Sequence, residues 1–200
     1  MNLQGKTVVF LGSSVTYGSA SGGWSMCDYL AEECGCQSVK WAVSGTTLAD
    51  IEEGSYVRRL LYAMDSQETC DLFICQLSTN DASRGLEQGS IDSRREGFDT
   101  ATVFGAMEFI IDTVRKKWHC PVAFYTGTRY ESEAYQHMVD GLRMIAEKWN
   151  IHIIDLWDDP DMNSITSEDY RRYMSDPIHP NRDGYTHWWG PKFRDVLETL

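Results

Sequence analysis

Five short apolar runs, separated by stretches whose apolar residues recur every three or four positions, set the plan of this chain. The first is Val8-Val9-Phe10-Leu11, which stops at Gly12. The others are Ser38–Val43, Asp71–Leu77, Pro121–Tyr125 and Ile151–Leu156. Short apolar runs bounded by glycine, proline or polar clusters read as buried strands. The stretches between them read as helices. One is opened by Gly22-Gly23-Trp24 and ends near Gly35. A second is N-capped by Thr47 and carries Leu48, Ile51 and then Val57, Leu60 and Leu61, with Gly54-Ser55 as a point where it breaks. A third runs from Asp99 to Trp118, with Val103, Met107, Ile110, Ile111 and Val114 at helical spacing. A fourth runs from about Glu133 to Trp149, with Met138, Leu142, Ile145 and Trp149 on one face. A short helix spans Glu168 to Met174, and a last one runs from Asn181 or Arg182 to the end. Strictly alternating strands and helices predict one parallel sheet covered on both faces. The expected fold is three-layer α/β/α, a flavodoxin-like five-stranded parallel sheet. With no repeat, linker or low-complexity tract, residues 1–200 read as a single domain.

Four strands end in polar clusters: Gly12-Ser13-Ser14, Ser44-Gly45-Thr46-Thr47, Ser78-Thr79-Asn80-Asp81 and Thr126-Gly127-Thr128. In a parallel sheet these ends open on the carboxyl edge, where ligand crevices lie. Near the end of the chain, Asp176-Pro177-Ile178-His179-Pro180 places a carboxylate and an imidazole three positions apart in a proline-stiffened loop. Ser14, His179 and Asp176 would together supply a nucleophile, a base that titrates near neutral pH, and a group to orient that base.

On these blocks the chain resembles the SGNH, or GDSL-type, hydrolase family. Gly12-Ser13-Ser14 stands for the family's Gly-Asp-Ser, and Ser44-Gly45 for its second block. Ser78-Thr79-Asn80-Asp81 matches Gly-x-Asn-Asp in part, and Asp176-Pro177-Ile178-His179 matches Asp-x-x-His. The resemblance spans about Lys6 to Gly190. It implies a serine esterase working through an acyl-enzyme, with Ser14, Asp176 and His179 catalytic. It also implies an oxyanion hole made by the N–H groups of Ser14 and Gly45 and the side-chain amide of Asn80. Two positions depart from the pattern: Ser13 replaces an aspartate and Ser78 a glycine. The first of these puts the loop near Gly45 in question.

Composition narrows the partners. A net charge of −12 disfavours nucleic acid, which needs a basic surface. No apolar run is long enough for a membrane span, and the first residues lack a signal-peptide pattern, so the expectation is a soluble, cytoplasmic protein without membrane or nucleic-acid partners. The six cysteines form no C-x-x-C pair, no metal-ligand spacing accompanies the triad, and no metal or cofactor is expected. Asp158, Asp159 and Asp161 lack the glycine and closing glutamate of a calcium loop. His119 and His137 read as helix-surface residues, His152 and His187 as structural, and Trp188-Trp189 as packing.

The substrate reads as a small-molecule ester with a short acyl group, most simply acetyl, on a polar or carbohydrate-like alcohol. No segment looks like an apolar lid, and the longest candidate cover, Ala82 to Gly97, holds Arg84, Glu87, Gln88, Asp92, Arg94, Arg95 and Glu96 against Leu86 and Ile91. Arg129, Tyr130 and Trp157 are candidates to line the cleft. An acyltransferase, thioesterase or lipase with the same triad remains open. So does a flavodoxin-like phosphate- or nucleotide-binding protein that uses Ser13, Ser14 and Thr16 as a cradle.

Overall fold

The computed structural model describes residues 1–200. Five strands form one wholly parallel sheet in the order β2-β1-β3-β4-β5: β1 Thr7–Gly12, β2 Gln37–Ala42, β3 Leu72–Gln76, β4 Val122–Tyr125 and β5 His152–Ile154. The order reverses at β1, so the crevice that such sheets offer at a switch point falls beside β1 and β3. Pairings such as Gly12 with Ala42 and Gln76 with Tyr125 align the strand ends at that edge.

The period-2 alternation of the three central strands sends side chains to two cores. Val9 and Leu11 of β1, Phe73 and Cys75 of β3, and Val122 and Phe124 of β4 face one core. It is covered by α3 (Tyr56–Ala63), α5 (Val103–Trp118) and α6 (Glu133–Trp149). Val8, Phe10, Leu72, Ile74, Ala123 and Tyr125 face the other. That side is covered by α2 (Met26–Cys34) and the C-terminal run. The C-terminal run comprises α8 (Arg182–Gly184), a π-helical turn (Tyr185–Trp189) and α9 (Gly190–Glu198). Trp188 and Trp189 are buried there as packing residues.

The helix starts follow hydroxyl caps. Ser25, not Gly22-Gly23, opens α2: its hydroxyl accepts from Cys27 N–H while Asp28 takes the N–H of Ser25. Thr102 caps α5 through Gly105 N–H, so the helix starts at Val103, four residues later than Asp99. The helix expected from Thr47 does not form. Thr47 Oγ1 bonds the carbonyl of Ala49, and the N–H groups of Leu48 and Ala49 go to the Asp81 carboxylate at 2.8 and 2.9 Å. The helix begins instead as α3, after Ser55 caps Arg58 N–H. His119 is not on a helix face but is the left-handed C-cap of α5 (φ 53°). All six cysteines are free thiols.

No helix is long and apolar enough to cross a membrane.

Candidate active site

The turn after β1 is built for close approach. A Cβ at Gly12 would fall 1.8 Å from Thr16 Oγ1 and 2.8 Å from Gln76 Oε1. With glycine there, the chain turns straight into a four-residue helix, α1 (Ser14–Tyr17). Gln76 Oε1, at the end of β3, accepts from Ser13 N–H and Thr16 Oγ1, both at 2.8 Å. Thr16 Oγ1 also meets Tyr125 Oη at 2.7 Å, and Tyr185 Oη donates to the Val15 carbonyl at 2.7 Å. The turn is therefore pinned from β3, β4 and the C-terminal run. These contacts consume the hydroxyl of Thr16 and bury Ser13 completely. The phosphate-cradle reading of Ser13 and Thr16 loses its donors.

Ser14 Oγ lies 2.7 Å from His179 Nε2. His179 Nδ1 lies 2.8 Å from Asp176 Oδ2. The Asp-x-x-His turn is local: Asp176 Oδ1 also accepts the N–H groups of Ile178 and His179, at 2.8 and 2.9 Å. An antiparallel bridge between Met174 and Pro180, with Ser175 N–H on the His179 carbonyl, closes the loop. Partial burial pushes the Asp176 carboxyl up, but these N–H groups and the imidazole more than offset it, and its pKa sits below the usual carboxylate range. The Asp176 side chain is 49% exposed and that of His179 23%, so the pair works in a partly wet setting.

Two further loops close around Ser14. Gly45 follows β2 in the left-handed region (φ 81°), a conformation glycine adopts without steric cost. The N–H groups of Ser14 and Gly45 donate to no group of the chain. Asn80 lies in α4 (Thr79–Ser83), and one N–H of its amide holds the Thr46 carbonyl at 2.9 Å, which leaves the second. Three N–H donors thus stand at the ends of β1, β2 and β3. Ser78, where the family has glycine, caps α4 by accepting Asp81 N–H at 3.4 Å, a bond glycine could not make. Asp81 is buried, and burial raises its pKa despite the hydrogen bonds from Ser78, Ala49 and Leu48. The Gly45 loop has four tethers. Asn80 holds the Thr46 carbonyl, Asp81 takes two N–H groups, Arg84 grips the Gly45 carbonyl at 2.6 Å, and Arg59 reaches Thr46 Oγ1 at 3.0 Å. Gln76, Asp81, Arg59 and Arg84 were not anticipated from the sequence. Asp81 stood there as the last residue of the Ser78-Thr79-Asn80-Asp81 block, with no role, and Gln76 as the one long polar side chain in the run Asp71–Leu77.

The sequence of the GDSL-like Lipase/Acylhydrolase family matches residues 10–187, which span all four blocks. This chain belongs to that family. With membership comes the reaction class, hydrolysis of ester bonds. None of the curated proteins matches it in sequence. Among solved structures it is similar to a protein from Lactobacillus plantarum (TM-score 0.81, 19% identity, 98% of each chain covered). It is also similar to a protein from Bacteroides ovatus assigned as a GDSL-like lipase (0.72, 17%, covering 98% of this chain and 100% of that one). A third is an acetyl xylan esterase (0.64, 16%, covering 96% and 99%). These likenesses establish the fold of this hydrolase.

A narrow slot lies at the ends of β3 and β4, and neither Ser14 nor His179 is among its lining residues. Its walls include Val15, Thr79 and Ile178, the chain neighbours of Ser14, Asn80 and His179, together with Thr128 and Tyr130 from beyond β4. Its free volume is about 10 Å³, close to what one water-sized group needs. Across Thr128 lies an open cleft of about 550 Å³ with a mixed lining, in which Arg129, Asn163 and Arg171 stand beside Met162, Ile165 and Trp188. Trp157 does not line either: it is 2% exposed and packs edge-on beneath Tyr130, ring centres 5.4 Å apart. The largest cavity of the hydrolase, about 700 Å³ between the loop at Glu87–Asp99 and His137, takes no residue from the triad loops.

Removal of the Asn80 amide tests its part in this site. The Asn80→Ala variant is expected to lose about a hundredfold or more in kcat with KM little changed, because a donor aimed at the developing oxyanion acts mainly in the transition state. Steady-state kinetics on p-nitrophenyl acetate check this. An effect confined to KM would make Asn80 a ground-state binding residue.

Proposed function

We propose that the protein is a serine esterase that hydrolyses short-chain, chiefly acetyl, esters of polar or carbohydrate-like alcohols through an acyl-enzyme. The observation that carries this reading is the unbroken chain Ser14 Oγ–His179–Asp176; a slot of about one water's volume, walled by the chain neighbours Val15, Thr79 and Ile178, supports a short acyl group. Ser14 Oγ attacks the ester carbonyl while His179 Nε2 takes its proton. The carbonyl π electrons move to oxygen, where the N–H groups of Ser14 and Gly45 and the amide of Asn80 receive the charge. His179 returns the proton to the leaving alcohol, and the acyl group stays on Ser14. Water, deprotonated by His179, then attacks the acyl-enzyme, and collapse of the second intermediate releases the acid as His179 returns the proton to Ser14 Oγ. Asp176 holds the imidazole tautomer and stabilises its charged form.

In the neighbouring cleft Arg129, Asn163 and Arg171 are available as polar contacts for a hydrated alcohol, beside Met162, Ile165 and Trp188. The shared fold with an acetyl xylan esterase is in keeping with this reading. On p-nitrophenyl esters, kcat/KM is expected to fall from acetyl to butyryl to octanoyl. Tyr130→Ala is expected to raise the butyryl-to-acetyl ratio about tenfold, since burying two added methylenes is worth roughly 1.6 kcal/mol. A wild-type preference for octanoyl over acetyl at equal concentration would overturn the substrate reading. The reaction as written uses only side chains and water, so activity is expected to survive EDTA.

A further inference from the structure

Arg59, on α3, lies outside the reacting groups, yet its guanidinium collects the frame of the oxyanion loops. Its Nε donates to the Gly54 carbonyl at 2.9 Å and Nη1 to the Trp41 carbonyl at 2.6 Å. Nη2 donates to the Gly12 carbonyl at 2.8 Å and to Thr46 Oγ1 at 3.0 Å. Its underside rests on the Tyr56 ring, 5.0 Å from the centroid, and Tyr56 is fully buried. All four hydrogen-bond partners are neutral, and no carboxylate is among them. Burial lowers the pKa of this guanidinium, although the Glu52 carboxylate, paired with Arg84, acts on it from a distance; it is a cation held at a desolvation cost with no carboxylate in contact.

The partners share one property. Gly12 is two residues before Ser14, Thr46 directly follows Gly45, and the Thr46 carbonyl is the group that Asn80 holds. Each of the three N–H donors is therefore at most two residues, or one hydrogen bond, from a group that Arg59 grips. A planar fork with five donors suits this task, since it sets several carbonyls at fixed relative angles. A neutral tie could hold the same carbonyls more cheaply. A positive charge gains its worth only when a negative charge arrives nearby, and in this reaction that happens on the substrate oxygen in the transition state.

We infer that Arg59 is a positioning residue of the oxyanion hole: it holds the loops after β1 and β2 in register, and its charge favours the tetrahedral oxyanion over the bound ester. The inference rests on the esterase reading above.

The test compares Arg59→Met and Arg59→Lys with wild type and Asn80→Ala, using p-nitrophenyl acetate and the inhibitor 2,2,2-trifluoroacetophenone. Ser14 Oγ adds to the inhibitor's carbonyl carbon, its proton passes to His179, and the former carbonyl oxygen becomes an oxyanion. Arg59→Met is expected to lower kcat at least tenfold with KM within twofold. Inhibition should weaken by a similar factor, and the pH midpoint of the acid limb should stay in place. Arg59→Lys, which keeps the charge but not the fork, should fall between. Combined with Asn80→Ala, the losses should be less than additive, because both act on one hole. Unchanged inhibitor affinity would overturn the inference, as would a loss confined to KM or full additivity with Asn80→Ala. Where Arg59→Met does not fold, Arg59→Lys assayed well below its melting temperature decides on the same readouts. An inactive wild type overturns the esterase reading and this inference together. A wild type and Asn80→Ala that behave as expected, beside Arg59 variants that do not, overturn this inference alone.

Discussion

Ser14→Ala is expected to abolish both ester turnover and labelling by a fluorophosphonate, with a fall in kcat on the order of 10⁴-fold or more. Ser14 Oγ is the one hydroxyl of the β1 turn within reach of the imidazole, at 2.7 Å from Nε2. Ser13 is next in sequence but is fully buried, and its Oγ faces Gln76 Oε1 at 3.4 Å. The melting temperature should change little. The substitution removes one partly buried hydrogen bond, worth about 1 kcal/mol, and leaves the bonds of Gln76, Tyr125 and Tyr185 that shape the turn. Mass spectrometry of the labelled protein checks the site. Label that persists in Ser14→Ala would assign the nucleophile elsewhere.

The second large effect is expected at His179. His179→Ala removes the base from a serine that has no other proton acceptor in contact, so the loss should approach that of Ser14→Ala. Asp176→Asn should cost less, because the carboxylate is half exposed and water shares its work on the imidazole. The pH dependence separates the two groups. In the folded protein Asp176 has a depressed pKa. The stability it contributes is therefore present above the ordinary carboxylate pKa and is lost only as pH falls through the lower folded value. Its loop stays anchored over the range in which imidazoles titrate. A decline in kcat/KM as pH falls from about 8 to about 5 then reports protonation of the base and not collapse of the loop. Circular dichroism over the same range should be constant. A flat rate profile would argue against histidine as the base.

Local patterns carried much of this molecule. The apolar runs of β1, β3 and β4 alternate at period 2 between two cores, and a run buried on both faces has few other readings; the edge strand β2 turns only Val39 and Trp41 toward one of them. The polar clusters at the strand ends had to share one edge once the sheet was parallel. Asp176 and His179 are three residues apart, so their contact is a property of the turn itself. The Thr47 helix shows where such patterns fail. A threonine before Leu48 is a sound N-cap by local chemistry, but Asp81, more than thirty residues away, takes the two N–H groups and holds the segment as a loop. Trp157 fails in the same way. An aromatic after a strand end could stand in a cleft or beneath it, and only its packing under Tyr130 and against Tyr135 puts it beneath.

The sequence by itself determined the order and type of the elements, the edge that carries the chemistry and the residue types that meet there. Periodicity and strand-end polarity are written along the chain, and each depends on neighbours a few positions away. Tertiary structure alone decided which distant group satisfies each polar atom. Gln76 takes the turn at Ser13–Thr16, Arg59 joins carbonyls from residues 12, 41 and 54 to a hydroxyl at 46, and Tyr130 walls the slot at the ends of β3 and β4. A hydrogen bond needs its partner within about 3 Å and near a straight line, a condition that spacing along the chain does not encode and that only the packed sheet, helices and loops together fulfil.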